Sequence, residues 1–262
     1  MNIYLYKFDK EKIIENEESL MLRLPESRRV KAEKYTNPSV RAVSIAAGLL
    51  LSYAVKAETG YDADQYEIRE SESGKPEIYV TDRAYDEAAD DAYGDSVDKS
   101  GHKSGHCANA IHISISHSAS YAAVVVADSP VGIDIEEKHD TEFRVTKRMF
   151  SEPDKERVFS SEDPDTEFRQ IWTEKEAYLK CTGEGISIPM KSFFTDPESC
   201  EVLRMNKTEN SGKTDTVRDS EPAEYLPTGY FISIPEARNK DFSISVCKDE
   251  KLALDIMIVS EL

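Results

Sequence analysis

Two carboxylates two residues apart, Asp134 and Glu136, sit in an apolar frame, Val131-Gly132-Ile133-Asp134-Ile135-Glu136. Successive side chains of a β-strand alternate faces, so the pair shares one face while Ile133 and Ile135 enter the core. Carboxylates held side by side repel unless a cation lies between them, and hard cations such as Mg²⁺ take oxygen ligands. An exposed polar strand face would read the same way from this stretch alone. Downstream, Trp172-Thr173-Glu174-Lys175-Glu176-Ala177-Tyr178-Leu179-Lys180 has helical composition. Glu176 and Lys180 fall four apart on one helix face, which taken singly describes a surface ion pair. Upstream, Ile115-Ser116-His117-Ser118 ends an alternating run. A histidine there can donate to a phosphate oxygen or serve as a turn residue. Between Arg23 and Arg41 six cations, Arg23, Arg28, Arg29, Lys31, Lys34 and Arg41, meet only Glu26 and Glu33. That is either an anion site or a solvated helix face.

These groups need elements to carry them. The first residues read as a strand, and Ser19 to Lys34 as a helix. Val40 to Val55 reads as a buried helix that Gly60 closes as a C-terminal cap. Short strands at Tyr66–Arg69 and Glu77–Val80 flank the turn Ser73-Gly74-Lys75-Pro76. Strict alternation makes Ala110–His117 a strand, Tyr121–Ala127 a buried one, and Val131–Glu136 another. Helices follow at Arg144–Phe150, Asp154–Ser160 and Asp165–Cys181, the last capped by Gly183. Strands near Ser192–Thr195, Gly229–Ile234, Phe242–Cys247 and Ala253–Val259 close the chain. The order helix, Thr-Gly, strand occurs twice, at Leu50–Ile68 and at Glu176–Phe194, an internal echo that fits two similar α+β halves. Residues of about 82–109 break the pattern as a flexible acidic insertion, and Asn206–Glu224 is a second polar excursion. The insertion holds His102, His106 and Cys107, a faint metal pattern without an evident fourth ligand.

Bulk properties exclude several classes. At 262 residues, 39% hydrophobic and 32% charged, the chain has material for one large domain or two small ones sharing an interface. A net charge of −18 opposes binding to nucleic acid or anionic membrane. The longest apolar run, Ile45–Val55, is interrupted by Gly48, Ser52 and Tyr53 and falls short of the roughly 20 residues of a membrane span. The N-terminus lacks a basic leader and an apolar core followed by a cleavage site. Four cysteines without a C-x-x-C pair argue against a disulfide framework or a thiolate zinc site. A cytoplasmic, monomeric protein is expected. Neither G-x-x-x-x-G-K-[ST] nor G-x-G-x-x-G is present, which weakens nucleotide-hydrolase and dinucleotide readings.

Together, I-S-H-S, then G-I-D-I-E, then W-x-x-K-E-A-x-x-K resembles the two-domain, surfactin-type 4′-phosphopantetheinyl transferases. The Gly74-Lys75-Pro76 turn and the helix R-A-V-S-I-A-A-G-L-L-L match that family too. The resemblance runs from the first strand to about Phe194. The insertion between Pro76 and Ile113 departs from it, as does serine at position 114, where the family often has asparagine. It implies an α+β fold of two similar subdomains related by a pseudo-twofold, residues 1–130 and 131–262. It further implies transfer of the phosphopantetheine of coenzyme A to a serine of an acyl or peptidyl carrier protein, releasing 3′,5′-ADP. Asp134, Glu136 and Glu176 would hold Mg²⁺, and His117, Ser116 and Lys180 would meet the phosphates. Arg28, Lys31 and Ser44 would take the 3′-phosphate and adenosine end, with Lys75 and Pro76 near the adenine. Glu176, Lys180 and His117 form the expected catalytic set. A Mg²⁺-dependent phosphate-ester hydrolase and a non-catalytic carrier-binding relative are the competing readings.

Overall fold

The computed structural model describes residues 1–71, 74–81, 111–139, 143–205, 225–233, 241–250 and 255–262. The expected insertion of 82–109, its His102, His106 and Cys107, and the 206–224 excursion lie outside the described residues.

In chain order the elements are β1 (Asn2–Lys7), α1 (Lys10–Glu15), α2 (Glu17–Met21), α3 (Glu26–Glu33), α4 (Pro38–Thr59), β2 (Tyr66–Glu70) and β3 (Pro76–Val80). After them come β4 (Ile111–Ser118), β5 (Tyr121–Ala127), β6 (Val131–Glu137), α5 (Phe143–Met149), α6 (Glu152–Ser160) and α7 (Pro164–Thr182). The remainder is β7 (Phe193–Asp196), β8 (Glu201–Met205), β9 (Tyr225–Ser233), β10 (Phe242–Lys248) and β11 (Asp255–Val259). The class is α+β, as expected.

The two long helices have matched ends. Asn37 accepts hydrogen bonds from Ser39 N and Val40 N to start α4, and Asp163 accepts from Thr166 N to start α7. Each has proline in its first turn and ends on a left-handed glycine, Gly60 (φ 83°) and Gly183 (φ 74°). By length and composition α4, at 22 residues, could cross a membrane, longer than the sequence had suggested, yet most of it is buried inside the protein. The helix expected over Ser19–Lys34 is instead two, α2 and α3. Pro25 has no N–H to give and holds the preceding residue out of helical conformation, so the chain breaks at Leu22–Pro25.

The strands form two sheets, ordered β11-β1-β5-β4-β3-β2 and β6-β10-β9-β8-β7. One face of the first carries Tyr4, Ile113, Ala122 and Val124 against Ala47, Leu50, Leu51 and Ala54 of α4. Its other face, Ile3, Leu5, Ala123 and Val125, packs on Ile133, Ile135, Ile244 and Val246 of the second sheet. The run Tyr121–Val126 is therefore buried on both sides, which is why its sequence is continuously apolar. The far face of the second sheet is covered by α7. The chain passes from one sheet to the other between β5 and β6, and β11 returns to pair in parallel with β1.

Helix α7 is fixed from behind by buried charges. Arg157 of α6 reaches Glu167 at 2.5 Å and Glu174 at 2.9 Å, and Lys175 pairs with Asp154 at 2.7 Å with both side chains fully buried. Lys175 also donates to the carbonyls of Met190 (2.9 Å) and Phe193 (2.5 Å). The opposite face of α7 carries Glu176 and Lys180.

Candidate active site

In the antiparallel pair of β6 and β10, Gly132, Asp134 and Glu136 stand opposite Cys247, Ser245 and Ser243. Residues directly opposite share a face, so both carboxylates point toward α7. Contact is close there because Gly132 has no side chain: a Cβ at that position would lie 1.9 Å from Ala177 O and 2.5 Å from Cys181 N. Lys180 then donates to Asp134 Oδ1 at 2.7 Å and to Ile133 O at 3.1 Å. The Glu176–Lys180 surface pair that helix spacing alone describes gives way to a bond from helix to strand, and Lys180, expected at the phosphates, rests on Asp134.

Three carboxylates feel one another here. Burial first, then Asp134, pushes the Glu176 carboxyl above its ordinary range; burial and Asp134 do the same to Glu136. Among the described residues no hydrogen bond or ion pair reaches the Glu176 carboxylate. No set of three or more His, Cys, Asp or Glu among those residues is gathered tightly enough to hold an ion as it stands. Each of the three offers hard oxygens of the kind such a cation takes.

Across from them lies a cleft of about 430 Å³ whose lining includes Arg28, Lys31, Lys75, Pro76, Glu176 and Lys180. Arg28 is 9% exposed, and its Nε has no hydrogen-bond partner among the described residues. Burial holds its guanidinium below the ordinary value, and burial with Arg28 nearby does the same for Lys31. Lys75 donates from the β2–β3 turn to the Cys181 carbonyl at 2.5 Å, bridging the two halves, and burial lowers its pKa too. His117, at the exposed end of β4, is held below its ordinary pKa by burial and by Lys180, Arg28 and Lys31. Glu70 and Glu176 also line the cleft and Lys180 is already paired with Asp134, so Arg28, Lys31 and Lys75 are the cations left to meet an anion.

Several expected contacts differ: Ser44, Ser116, His117, Asp134 and Glu136 do not line the cleft. Ser44 is buried on α4, and its hydroxyl has no hydrogen-bond partner among the described residues. It lies one turn from Gly48, the point where α4 meets Arg28. The Ser116 hydroxyl, expected at the phosphates, faces the second sheet instead. It donates to Asp134 Oδ1 at 2.7 Å and accepts from Ile135 N at 3.3 Å. The sequence reading missed Ser27, Ser114 and Leu179, which line the cleft. The S-x-S-x-S alternation of β4 was the available signal for Ser114, while nothing local marked the other two.

Residues 130–247 match the family model described as the 4′-phosphopantetheinyl transferase superfamily. The chain is 32% identical over 103 residues to the 4′-phosphopantetheinyl transferase gsp of Aneurinibacillus migulanus, covering 38% of this chain and 44% of that protein. It is 37% identical over 86 residues to psf-1 of Bacillus pumilus, covering 32% and 37%. It is 33% identical over 84 residues to Sfp of Bacillus subtilis (strain 168), covering 31% and 38%. The aligned stretches thus span less than half the length of each of these relatives. The family match, at residues 130–247, includes β6 and α7, the strand and helix of the acidic cluster. The likeness to 4′-phosphopantetheinyl transferases is thus carried by residues 130–247, under half of the chain.

Proposed function

We propose that the protein is a 4′-phosphopantetheinyl transferase that moves the phosphopantetheine arm of coenzyme A onto a serine of an acyl or peptidyl carrier protein. The carrying observation is the cleft itself, which Arg28, Lys31, Lys75 and Lys180 line together with Glu176. Coenzyme A is a polyanion with a diphosphate at its centre, and the cations suit its phosphates. Arg28 and Lys31 take the 3′-phosphate end, with Lys75 and Pro76 beside the adenine. Lys180 and His117 take the diphosphate.

In the reaction the serine oxygen of the carrier bonds to the β-phosphorus, and the bond from that phosphorus to 3′,5′-ADP breaks. The serine proton passes to the Glu176 carboxylate, which lines the cleft. Lys180 and His117 offset the charge that develops on the transferred group. Asp134, Glu136 and Glu176 would hold Mg²⁺, which when bound supplies further positive charge on the diphosphate. A carboxylate has two oxygens, so Glu176 can serve the ion with one and the proton with the other. A monomer acting in the cytoplasm on a diffusing carrier belongs to the same proposal.

Incubation with coenzyme A, Mg²⁺ and a panel of apo carrier proteins, read by intact mass, is the test. A gain of one phosphopantetheinyl group on the carrier is expected, and its loss in Glu176→Gln with coenzyme A binding preserved. Free phosphopantetheine with an unmodified carrier would point to a hydrolase. Binding of both partners without any mass change would point to a non-catalytic relative.

A further inference from the structure

The hairpin that carries His117 closes through a strained turn, and one residue of the second sheet holds that turn on both flanks. Ala119 and Ser120 join β4 to β5, with Ser118 opposite Tyr121. Ala119 has φ 44°, and of the two it alone has a positive φ. Among two-residue hairpin turns that is the pattern of type II′, whose first central position favours glycine. An alanine stays in the left-handed region only where its surroundings hold it there.

Ser120 gives both of its hydrogens to the Glu137 carboxylate. Its N–H reaches Oε2 at 2.9 Å, and its hydroxyl reaches Oε1 at 3.2 Å and Oε2 at 3.1 Å. The Ser120 carbonyl accepts from Phe8 N at 2.9 Å, so every polar group of that residue is engaged. Before the turn, the Ser118 hydroxyl accepts from Glu137 N at 2.9 Å. It is the last of three such bonds by which β4 closes the free edge of β6, after Ser114 with Ile133 N (3.0 Å) and Ser116 with Ile135 N (3.3 Å). With Ser114, Ser116 and Ser118 facing β6, alternation puts Ile113, Ile115 and His117 in the opposite row. Ile113 and Ile115 line the cleft, and His117 comes next in that row, opposite Ala122 and one rung from the turn. It does not line the cleft itself, so the reach of its ring depends on where the end of the hairpin stands.

We propose that Glu137 is a positioning residue for His117: its carboxylate and its N–H pin the strained Ala119–Ser120 turn to β6 and so set where the His117 ring meets the diphosphate of the substrate. The inference rests on the transferase reading, which is what gives His117 a phosphate to meet. Among the described residues the Glu137 carboxylate hydrogen-bonds only Ser120, so it acts on the ring through the turn. Its chain neighbour Glu136 is a proposed metal ligand, and an effect through His117 must be told apart from one through Glu136. Combining changes at 137 and 117 does this, because a residue that works through another loses its effect once the other is gone.

The experiment measures carrier modification by wild type, Glu137→Ala, His117→Ala and the double variant. Thermal melts and the proton–carbon NMR resonance of the His117 ring, followed as coenzyme A is added, accompany the rates. Glu137→Ala should lower kcat/KM about tenfold or more, since a misplacement of about 1 Å can cost about 100-fold. In the His117→Ala background the same change should lower it by less than about twofold. The ring resonance should move on addition of coenzyme A in wild type and much less in Glu137→Ala. Ala119→Gly, which supplies a residue that adopts positive φ freely, should restore most of the rate lost in Glu137→Ala. A Glu137→Ala protein that matches wild type in rate and resonance overturns the inference. An equal loss in both backgrounds does so too, because it assigns the effect to Glu136 or to stability. Should Glu137→Ala fail to fold, Ser120→Ala, which removes only the hydroxyl half of the clamp, goes through the same cycle with the same criteria. A wild type that modifies no carrier sinks the transferase reading and the inference together, whereas the other failures, with an active wild type, strike the inference alone.

Discussion

Replacing Gly132 by alanine should separate the two elements that build the site, and the size of the effect follows from two distances. The added Cβ would lie 1.9 Å from the Ala177 carbonyl oxygen and 2.5 Å from Cys181 N, both backbone atoms that cannot rotate away. A carbon and a carbonyl oxygen sit comfortably at about 3.3 Å. Helix α7 must therefore withdraw from β6 by about 1.4 Å, the difference between those values. Lys180, now 2.7 Å from Asp134 Oδ1, would then stand about 4 Å away and lose its hydrogen bond. Overpacking of this kind costs about 1–3 kcal/mol of stability. For a chain of this size that is a melting-temperature drop of very roughly 2–12 °C. A misplacement of about 1 Å can lower catalysis by about 100-fold. Transfer rates on an apo carrier, with urea melts on the same samples, give both numbers. A Gly132→Ala protein within about 0.5 kcal/mol of wild type and within threefold in rate would refute the reasoning.

Lys175→Met strands the Asp154 carboxylate in the core, which for a buried pair costs about 3–5 kcal/mol in urea melts; adding Asp154→Asn should return part of that loss. Glu176→Gln should be more stable than wild type at pH 7. The folded protein raises the Glu176 pKa above 4.5, so its ionised form opposes folding, and the advantage should shrink as pH falls toward 4.5 and the unfolded chain takes up the same proton. His117 is held below 6.5 by burial and nearby cations, so a bound phosphate should raise its pKa and draw in a proton. Calorimetry of coenzyme A binding near pH 6.5, in buffers of different ionisation enthalpy, should detect that uptake in wild type and not in His117→Ala.

Much of this site was legible because its chemistry rides on strong local periodicities. Ile111, Ile113 and Ile115 alternate with polar residues, which betrays β4, and Asp134 and Glu136 declare a shared face by spacing alone. Gly60 and Gly183 mark helix ends through a left-handed conformation that few other residues tolerate. What escaped was information held between elements. Lys175 reads as a surface cation beside Glu176, and its burial against Asp154 and the Phe193 ring depends on α6 and β7 being in place. The short strand β8, Glu-Val-Leu-Arg-Met, was missed although the Asp196-Pro197 turn stands just ahead of it. The break at Pro25 was visible in principle, but the good helix formers on either side outweighed it. That serine hydroxyls would close the β6 edge follows from how two sheets face each other, which no single stretch records.

The return of β11 to lie beside β1 bears on how a large ligand could enter. A chain that crosses between two halves once can swing them like covers on a single spine. This one crosses at β5–β6 and again between β10 and β11, and Lys75 adds a clasp from the β2–β3 turn to the end of α7. Wide opening about one pivot would have to pull β11 from its neighbour or strain the second crossing. Access to the cleft should therefore come from small shifts at its rim, above all release of the Lys75 clasp, while the wall between the sheets stays still.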